Sequence, residues 1–218
     1  AVCQSNVAMG SSLLSTLESN YDIMIEHMQR IRDLTEEAAN GTYGTDSIAA
    51  INAEITARCT EIDRIAALSE YNGKKLMTGG GAINLQVGID SSANSTITLE
   101  ESLFAASTTK DLTGKTAADY TGLITAGTTK DALDAIDQGL ANITTRQTKI
   151  GAYQNRLDSA ADALTIQYDN LSSSLSTVRD TDVASESSNF IKAQILQQAS
   201  ASLLTTANQT PSIALNLI

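Results

Sequence analysis

The feature that most constrains the fold is an apolar stripe that runs from Leu133 to Val178. Its members recur in alternating steps of three and four residues, the spacing that places side chains on one face of an α-helix. They are Leu133, Ile136, Leu140, Ile143, Gln147, Ile150, Gln154, Leu157, Ala161, Leu164, Tyr168, Leu171, Leu175 and Val178. Such a helix is about 70 Å long. Because it cannot bury this stripe against itself, it requires long partner helices.

Two shorter stripes in the first half of the chain supply those partners. The first should end at Asn40-Gly41, and the second should begin with Thr45 or Asp46 as its N-cap. Their members are, in the first, Leu14, Leu17, Tyr21, Met24, Met28, Ile31, Thr35 and Ala38 and, in the second, Ile48, Ile51, Ile55, Cys59, Ile62 and Ala66. We therefore predict a mainly α fold, a long antiparallel helical rod that resembles a coiled-coil bundle.

Residues 76–130 have a different character, rich in Gly, Ser and Thr. Alternation of apolar and polar residues at 83–87 and 96–99 predicts a small β-hairpin region. The polar stretch 107–130 should be looped. Gly79, Gly80 and Gly81 precede a strand and not a helix, so they favour a flexible turn over a phosphate-binding loop.

The last segment carries another apolar face but has no partner left in the chain. Phe190, Ile191, Ile195, Ala199, Leu203 and Ala207 follow helical spacing, and the segment ends in IALNLI after Pro211. An unpartnered apolar helix face indicates an intermolecular contact. The chain thus divides into a helical arm (1–75), a short β and loop insert (76–130), a long helix (131–182) and a C-terminal helical tail (183–218).

Composition narrows the function. Aromatic residues make up 4% and Trp is absent, so the core must consist of aliphatic side chains, which suits helix against helix. The formal net charge of −11 argues against nucleic-acid and anionic-membrane partners, since both require a basic face. The chain has no apolar run of 18 residues and no charged segment at its start, so we expect neither a membrane span nor a cleavable secretory signal.

Sequence motifs for catalysis, cofactors or metals are missing. His27 is the single histidine, whereas a zinc-protease helix needs two, and the sequence around His27 shows no pattern that supports a catalytic triad. Asp180 and Asp182 lack the further ligands of a calcium loop and favour a helix break with an Asp cap. Cys59 follows the second stripe and should be buried, while Cys3 is too isolated to interpret. We predict a non-enzyme with no cofactor.

Several longer strings resemble bacterial flagellin. In the family's order they are QRIRDLTEEAANGT (29–42), INAEITARCTEIDRIA (51–66), YNGKKL (71–76), LQVGID (85–90), GAYQNRL (151–157), RDTDVASES (179–187) and AQILQQAS with ANQTP (193–211). The matches span nearly the whole chain, and the combination of GAYQNRL, DTDVA and ANQTP at these distances is specific. The resemblance implies a structural subunit that polymerises into the filament rotated for swimming.

The resemblance also implies partners and a location. The subunit leaves the cell unfolded through the flagellar type III apparatus and is extracellular in the filament, where it meets copies of itself and the cap and junction proteins. Before export a flagellin-specific secretion chaperone covers the apolar tail. The residues that match this polymerisation and chaperone-binding tail are Phe190, Ile191, Ile195, Leu196, Leu203, Leu204, Leu215 and Leu217.

A host partner follows from the same resemblance. In family members sensed by the animal flagellin-specific Toll-like receptor, the contact centres on an Arg of the first core helix. The matching residues here are Gln29, Arg30, Leu34 and Glu54. Arg30 lies outside the apolar stripe, so we expect it to be exposed, with Leu34 as its neighbour on the same helix face.

Three departures and two alternatives accompany the flagellin interpretation. The family's extreme N-terminal helix is missing, the insert is short enough that large outer domains are absent, and cysteine is unusual in flagellins. The alternatives are a hook–filament junction protein of the same superfamily, also structural, and a generic extracellular coiled-coil adhesin. An enzyme-bearing flagellin is disfavoured because the insert is short and lacks HExxH.

Overall fold

The computed structural model describes residues 2–90, 92–179 and 183–215. The predicted fold class, mainly helical with a small antiparallel β region, is confirmed. The helices are α1 (Val2–Ala38), α2 (Thr45–Leu68), α3 (Thr109–Thr113), α4 (Ala117–Thr125), α5 (Thr129–Arg179) and α6 (Val183–Leu215), and the strands are β1 (Glu70–Tyr71), β2 (Lys74–Lys75), β3 (Ile83–Gln86) and β4 (Thr96–Leu99). The chain divides into a first unit, residues 1–167, and a second unit, residues 168–218.

Both N-terminal stripes are the buried faces of their helices, as predicted. In α1, Leu14, Leu17, Tyr21, Met24, Met28 and Ile31 are fully buried, and in α2 so are Ile55, Cys59 and Ile62. Helix α1 ends at Ala38, just before Asn40-Gly41. These faces form the core of the first unit.

The start of α2 differs from the prediction. Its N-cap is Gly44, which has an extended backbone and gives no side-chain cap. Thr45 and Asp46 already lie in the first turn of α2. There the negative charge of the Asp46 carboxylate interacts favourably with the positive end of the helix dipole. The predicted N-cap at Thr45 or Asp46 is therefore wrong.

Polar pairs along α1 fix the direction of its neighbours. Toward α5 the pairs are Gln4 with Thr165, Glu18 with Gln154, Asp22 with Gln147 and Arg32 with Asp137; toward α2 they are His27 with Arg58 and Arg30 with Glu54. In both sets the partner's number falls as the α1 number rises. Both α2 and α5 therefore run antiparallel to α1, as expected for a bundle of long helices.

The buried face of α5 is displaced from the predicted stripe at every second position. Ala132, Gly139 and Tyr153 point into the core beside Ile136, Ile143, Ile150 and Leu157. Gln147 and Gln154 lie at the margin of this face, where their amides donate to Asp22 at 2.6 Å and to Glu18 at 2.8 Å. The two glutamines that interrupted the predicted stripe are thus bridges to α1 and not members of the core.

Gly139 leaves space on α5 that side chains of its neighbours fill. A Cβ atom at this position would lie 2.5 Å from Met28 Cε and 2.6 Å from Thr113 Cγ2. Both distances are far below van der Waals contact, so a larger residue would require these two side chains to move. Leu140, the next residue, lies at the edge of the buried face and is only partly buried.

The β region agrees with the alternation in the sequence. Strand β3 pairs antiparallel with β4, with Ile83 opposite Leu99. Strands β1 and β2 form a second, shorter hairpin whose turn residues, Asn72 and Gly73, have positive φ angles of 48° and 78°. Such left-handed pairs are typical of two-residue hairpin turns.

The prediction of a loop at 107–130 is wrong, because α3, α4 and the start of α5 lie there. Each short helix begins with a capping box, in which a threonine side chain and a carboxylate three residues later satisfy each other's backbone N–H groups. The pairs are Thr108 with Asp111 and Thr116 with Asp119. The apolar anchors are too few to give a periodic signal: Leu112 in α3, and Tyr120 and Ile124 in α4.

The two cysteines occupy contrasting environments, which gives a first testable prediction. Cys59 is fully buried, and this burial raises the pKa of its thiol to about 12. Cys3 is partly exposed and its Sγ lies 3.4 Å from the Gly88 carbonyl oxygen. Because the thiolate is the reactive form, iodoacetamide at mildly alkaline pH should label Cys3 at least about tenfold faster than Cys59.

Mass spectrometry of the labelled peptides measures this ratio, and labelling in urea provides the control, since both thiols are then exposed. The raised pKa of folded Cys59 also means that burial of this thiol favours folding below its ordinary pKa. This contribution is lost as the pH rises toward the folded value. Equal labelling of the two cysteines in the native protein would contradict the buried position of Cys59.

Candidate assembly and recognition surfaces

The second unit presents apolar side chains to solvent along α6. The most apolar described side chains of this helix are half to two-thirds exposed: Phe190, Ile191, Ile195, Leu196, Leu203 and Leu204. A single large apolar side chain on a surface is ordinary, but a helix that exposes six is typical of an interface. The side chains of Leu215 and Leu217, which were predicted to belong to this surface, lie outside the described part of the chain.

The spacing of these residues indicates more than one contact face. They occur as adjacent pairs, 190–191, 195–196 and 203–204. At about 100° per residue, the three first members of the pairs point in widely separated directions, and so do the three second members, so apolar side chains lie all around α6. A helix that is apolar on all sides has to be covered from more than one direction, which a single partner helix does not achieve.

The C-terminal end of α5 belongs to the same unit and is exposed as well. Tyr168, Leu171, Leu175 and Val178 are all more than half exposed, whereas Leu157 is fully buried. The expectation that the stripe is buried through Val178 is therefore wrong for this chain by itself.

The matched recognition residues lie on the first unit, where α1 and α2 meet. Arg30 donates from Nε to Glu54 Oε1 at 2.9 Å and from Nη2 to Glu54 Oε2 at 3.2 Å. Arg58 adds a third donor to Glu54 at 3.5 Å, and its Nη1 lies 3.2 Å from His27 Nδ1. Arg30 and Glu54 remain partly accessible, with 45% and 36% of their side chains exposed.

This ion pair shifts the ionisation of both groups. The hydrogen bonds from Arg30 hold the pKa of Glu54 below its ordinary value, and those to Glu54 raise the pKa of Arg30. The pair therefore supports folding above the ordinary carboxyl pKa, and this support is lost on acidification through the lowered value. Exposed pairs of this kind contribute little to stability, because solvent screens the two charges.

The other two matched residues differ in their exposure to solvent. Gln29 is exposed beside Arg30, but Leu34 is only 2% exposed and belongs to the core. The expectation of an apolar neighbour on the accessible face next to Arg30 is therefore not met. Leu34 lies four residues after Arg30, but it is also three after Ile31, and the buried stripe of α1 is wide enough to include it.

The structure also reveals a partly buried polar cluster that the sequence reasoning missed. Arg146 lies at the margin of the buried face of α5 between Ile143 and Ile150, and its Nη1 donates to Ser107 Oγ at 2.6 Å, Ala105 O at 3.0 Å and Tyr21 Oη at 3.1 Å. Tyr21 in turn donates to Leu103 O at 3.2 Å. This cluster connects α1, α5 and the segment 103–107, and its sequence signal is one charged residue beside the apolar stripe of α5.

Comparison with known proteins decides the family. The model of the bacterial flagellin N-terminal helical region matches residues 1–82, and that of the C-terminal helical region matches residues 133–218. The chain belongs to the bacterial flagellin family. Flagellin of Halalkalibacterium halodurans is 34% identical over 96% of this chain and 75% of its own length. A flagellar filament core protein of Brachyspira hyodysenteriae is 32% identical over 98% of this chain and 77% of its own.

Solved structures agree with the family assignment. Bacillus cereus flagellin, at 26% identity, superposes with a TM-score of 0.61 over 78% of this chain and 94% of its own. A flagellar hook-associated protein of Vibrio parahaemolyticus superposes with a TM-score of 0.63 over 80% and 90% of the two chains. The latter is only 20% identical, so it shows a shared fold and nothing about which of the two structural roles this chain has.

Flagellins are structural proteins of the flagellar filament, and this flagellin is accordingly a structural subunit. Among residues 2–90, 92–179 and 183–215, no three His, Cys, Asp or Glu side chains cluster closely enough to hold a metal ion. Within the same ranges, none of the helices combines the length and the hydropathy of a membrane-spanning segment.

Proposed function

We propose that this flagellin polymerises into the motility filament through the apolar side chains exposed around α6 together with the exposed end of α5. The observation that carries the proposal is the set of six large apolar side chains exposed on α6. Burying one such side chain is worth about 1.5–3 kcal/mol, so six of them provide ample free energy for association. Copies of the same chain are the natural partners, since each offers the same apolar helix. On this view, the helical body and the tail (183–218) have separate roles.

Deleting residues 190–218 should abolish filaments and leave the first unit folded. Among the described residues, the members of the hydrophobic core and the side chains packed against it end at Leu164, so the deletion removes none of them. Filament formation after salt addition is measured by electron microscopy of the purified protein, because salt screens the repulsion between chains of net charge −11. Circular dichroism per residue measures the folding of what remains and should be nearly unchanged.

A matched pair of point variants distinguishes the loss of an apolar contact from the shortening of the tail. Leu196→Asp places a charge at an apolar position, whereas Gln197→Asp places it at the adjacent, exposed polar position. Only the first should block assembly, since only the first desolvates a charge at the interface. Filaments of normal yield from Leu196→Asp, or from the deletion variant, would remove α6 from the assembly mechanism.

We further propose that a flagellin-specific secretion chaperone covers the exposed apolar side chains of α6 before export, and that the subunit is extracellular afterwards. The support is that an exposed apolar helix would otherwise associate prematurely inside the cell. The chaperone and the neighbouring subunit then compete for one surface. Contacts with the filament cap and junction proteins fall at the ends of the same polymer.

We also propose that the Arg30–Glu54 face binds the flagellin-sensing Toll-like receptor of animals. Arg30, Glu54 and Gln29 are accessible, and a bidentate Arg–Glu pair presents a fixed guanidinium edge to a partner. Arg is among the residues that dominate binding energies at protein interfaces. Leu34 supports the face from within the core and is left out of the contact surface proposed here.

Arg30→Ala should weaken receptor activation by soluble monomer at least about tenfold in a reporter-cell dose response. The matched control is Arg64→Ala, because Arg64 forms a similar two-hydrogen-bond pair with Glu61 at the surface of α2. Both variants should melt like the parent protein, since exposed ion pairs contribute little to stability. Equal potency of all three proteins, or no response to any of them, would refute receptor binding at this face.

A further inference from the structure

The chain contains two Asn-Gly pairs, Asn40-Gly41 and Asn72-Gly73, and all four residues are exposed. In such a pair the backbone nitrogen of the glycine can attack the side-chain amide carbon of the asparagine. Glycine lacks the Cβ atom that would hinder this approach. Exposure and local sequence are thus the same at both positions, and any difference between them must come from the fold.

The pair at Asn40 is set up for attack. It lies in the connection between α1 and α2, outside the helices and strands. The open space around the Cβ position and a glycine N–H without an acceptor in the described chain are common to Gly41 and Gly73. What distinguishes Asn40 is that its Oδ1 atom accepts a hydrogen bond from the Thr42 backbone N–H at 3.3 Å. This bond turns the carboxamide toward the following residues, beside the Gly41 peptide, and polarises its carbonyl group.

The pair at Asn72 is held away from attack. Asn72 and Gly73 are the turn residues of the β1–β2 hairpin, both in the left-handed region. The strand pairs Glu70–Lys75 and Tyr71–Lys74 close the turn on both sides. Because ring closure requires rotation about the Asn72 backbone, the hairpin has to open before the Gly73 nitrogen reaches the side chain.

We propose that Asn40 is a site of spontaneous self-modification and that Asn72 is protected from it by the hairpin. The Gly41 nitrogen, after losing its proton to base, forms a bond to Asn40 Cγ, and the side-chain amide leaves as ammonia. The resulting five-membered succinimide is opened by water at either carbonyl. The products are aspartate, or isoaspartate, in which the backbone continues through the former side chain.

The modification changes the corner between α1 and α2. It adds a negative charge just after the C-terminal end of α1, where the helix dipole is already negative and where Glu36 and Glu37 lie. Isoaspartate also lengthens the main chain by one carbon and removes the present contact with Thr42. The last turn of α1 should therefore be less stable in the modified chain.

Incubation of the native protein in mildly alkaline buffer, followed by peptide mapping that separates asparagine, aspartate and isoaspartate, tests the proposal. Asn40 should convert at least about tenfold faster than Asn72, since attack depends on the geometry of the reacting atoms. In urea the two rates should become similar. Gly41→Ala, which the open space around Gly41 accommodates, should slow conversion at Asn40 alone.

Three outcomes would overturn the proposal. One is equal conversion at the two positions in the native protein. A second is no conversion at Asn40 while Asn72 reacts in urea. The third is a rate ratio that is the same in urea as in buffer, because the fold would then have no part in the difference.

Discussion

Replacing Leu157 with aspartate should lower the free energy of unfolding of the first unit by about 4 kcal/mol or more. The Leu157 side chain is fully buried on α5, and the substitution both empties its site and places a carboxylate there without a partner. Domains of this size are stable by only about 5–15 kcal/mol, so the variant should melt well below the parent protein. Urea titration followed by circular dichroism measures the change.

The same face of α5 supplies matched controls at steps of seven residues. Leu164→Asp changes a partly buried side chain and should have an intermediate effect. Leu171→Asp changes a side chain that is 57% exposed and should alter the stability by less than about 0.5 kcal/mol. Three equal effects, or no effect at Leu157, would contradict the boundary of burial along this helix.

Replacing Arg146 with alanine should lower the free energy of unfolding by about 2–4 kcal/mol, because it removes a charged donor from buried acceptors. Its Nη1 atom donates to Tyr21 Oη and Ser107 Oγ and to the carbonyl oxygen of Ala105. The variant leaves the fully buried Tyr21 and Ser107 side chains without this donor. Segment 103–107, which carries several of them, should exchange its backbone hydrogens faster in the variant.

Arg156→Ala is the matched control for Arg146, because it removes the same side chain from the same helix. Arg156 is exposed and lies over the ring of Tyr153 at 5.3 Å, a contact worth roughly 0.5–1 kcal/mol. Arg146→Lys should be nearly as damaging as Arg146→Ala, since a single ammonium group does not reproduce the planar fork. Full stability of either Arg146 variant would show that the cluster is not a structural connection.

The helices and their antiparallel order could be predicted because their signal is repeated many times. Every turn of α1 and α2 places an apolar residue on the same face, so one exception does not hide the pattern. The capping boxes that start α3 and α4 depend on two residues each, Thr108 with Asp111 and Thr116 with Asp119. Two polar residues give no periodic pattern, so the sequence predicts a polar loop there. Short helices lack the repetition that makes periodicity reliable.

The two candidate surfaces also differ in how much of them the sequence could predict. The exposure of the apolar side chains of α6 agrees with the sequence pattern, and their role in assembly stays a prediction. The exposure of the residues proposed to bind the receptor was only partly predictable. Arg30 is accessible as expected, but Leu34 is buried, since the width of the contact between helices decides which flanking residues are covered.

By itself the sequence determined the helical period of α1, α2 and α5 and the alternation of the β3–β4 hairpin, since these depend on the spacing of apolar residues. Only the tertiary structure decided which side of α5 turns inward. Ala132, Gly139 and Tyr153 take the places that Leu133, Leu140 and Gln154 hold in the predicted stripe. At Gly139 the reason is that the Met28 side chain of α1 and the Thr113 side chain of α3 fill the space over the glycine. Which side chains meet there depends on three packed helices, and no one-dimensional pattern records it.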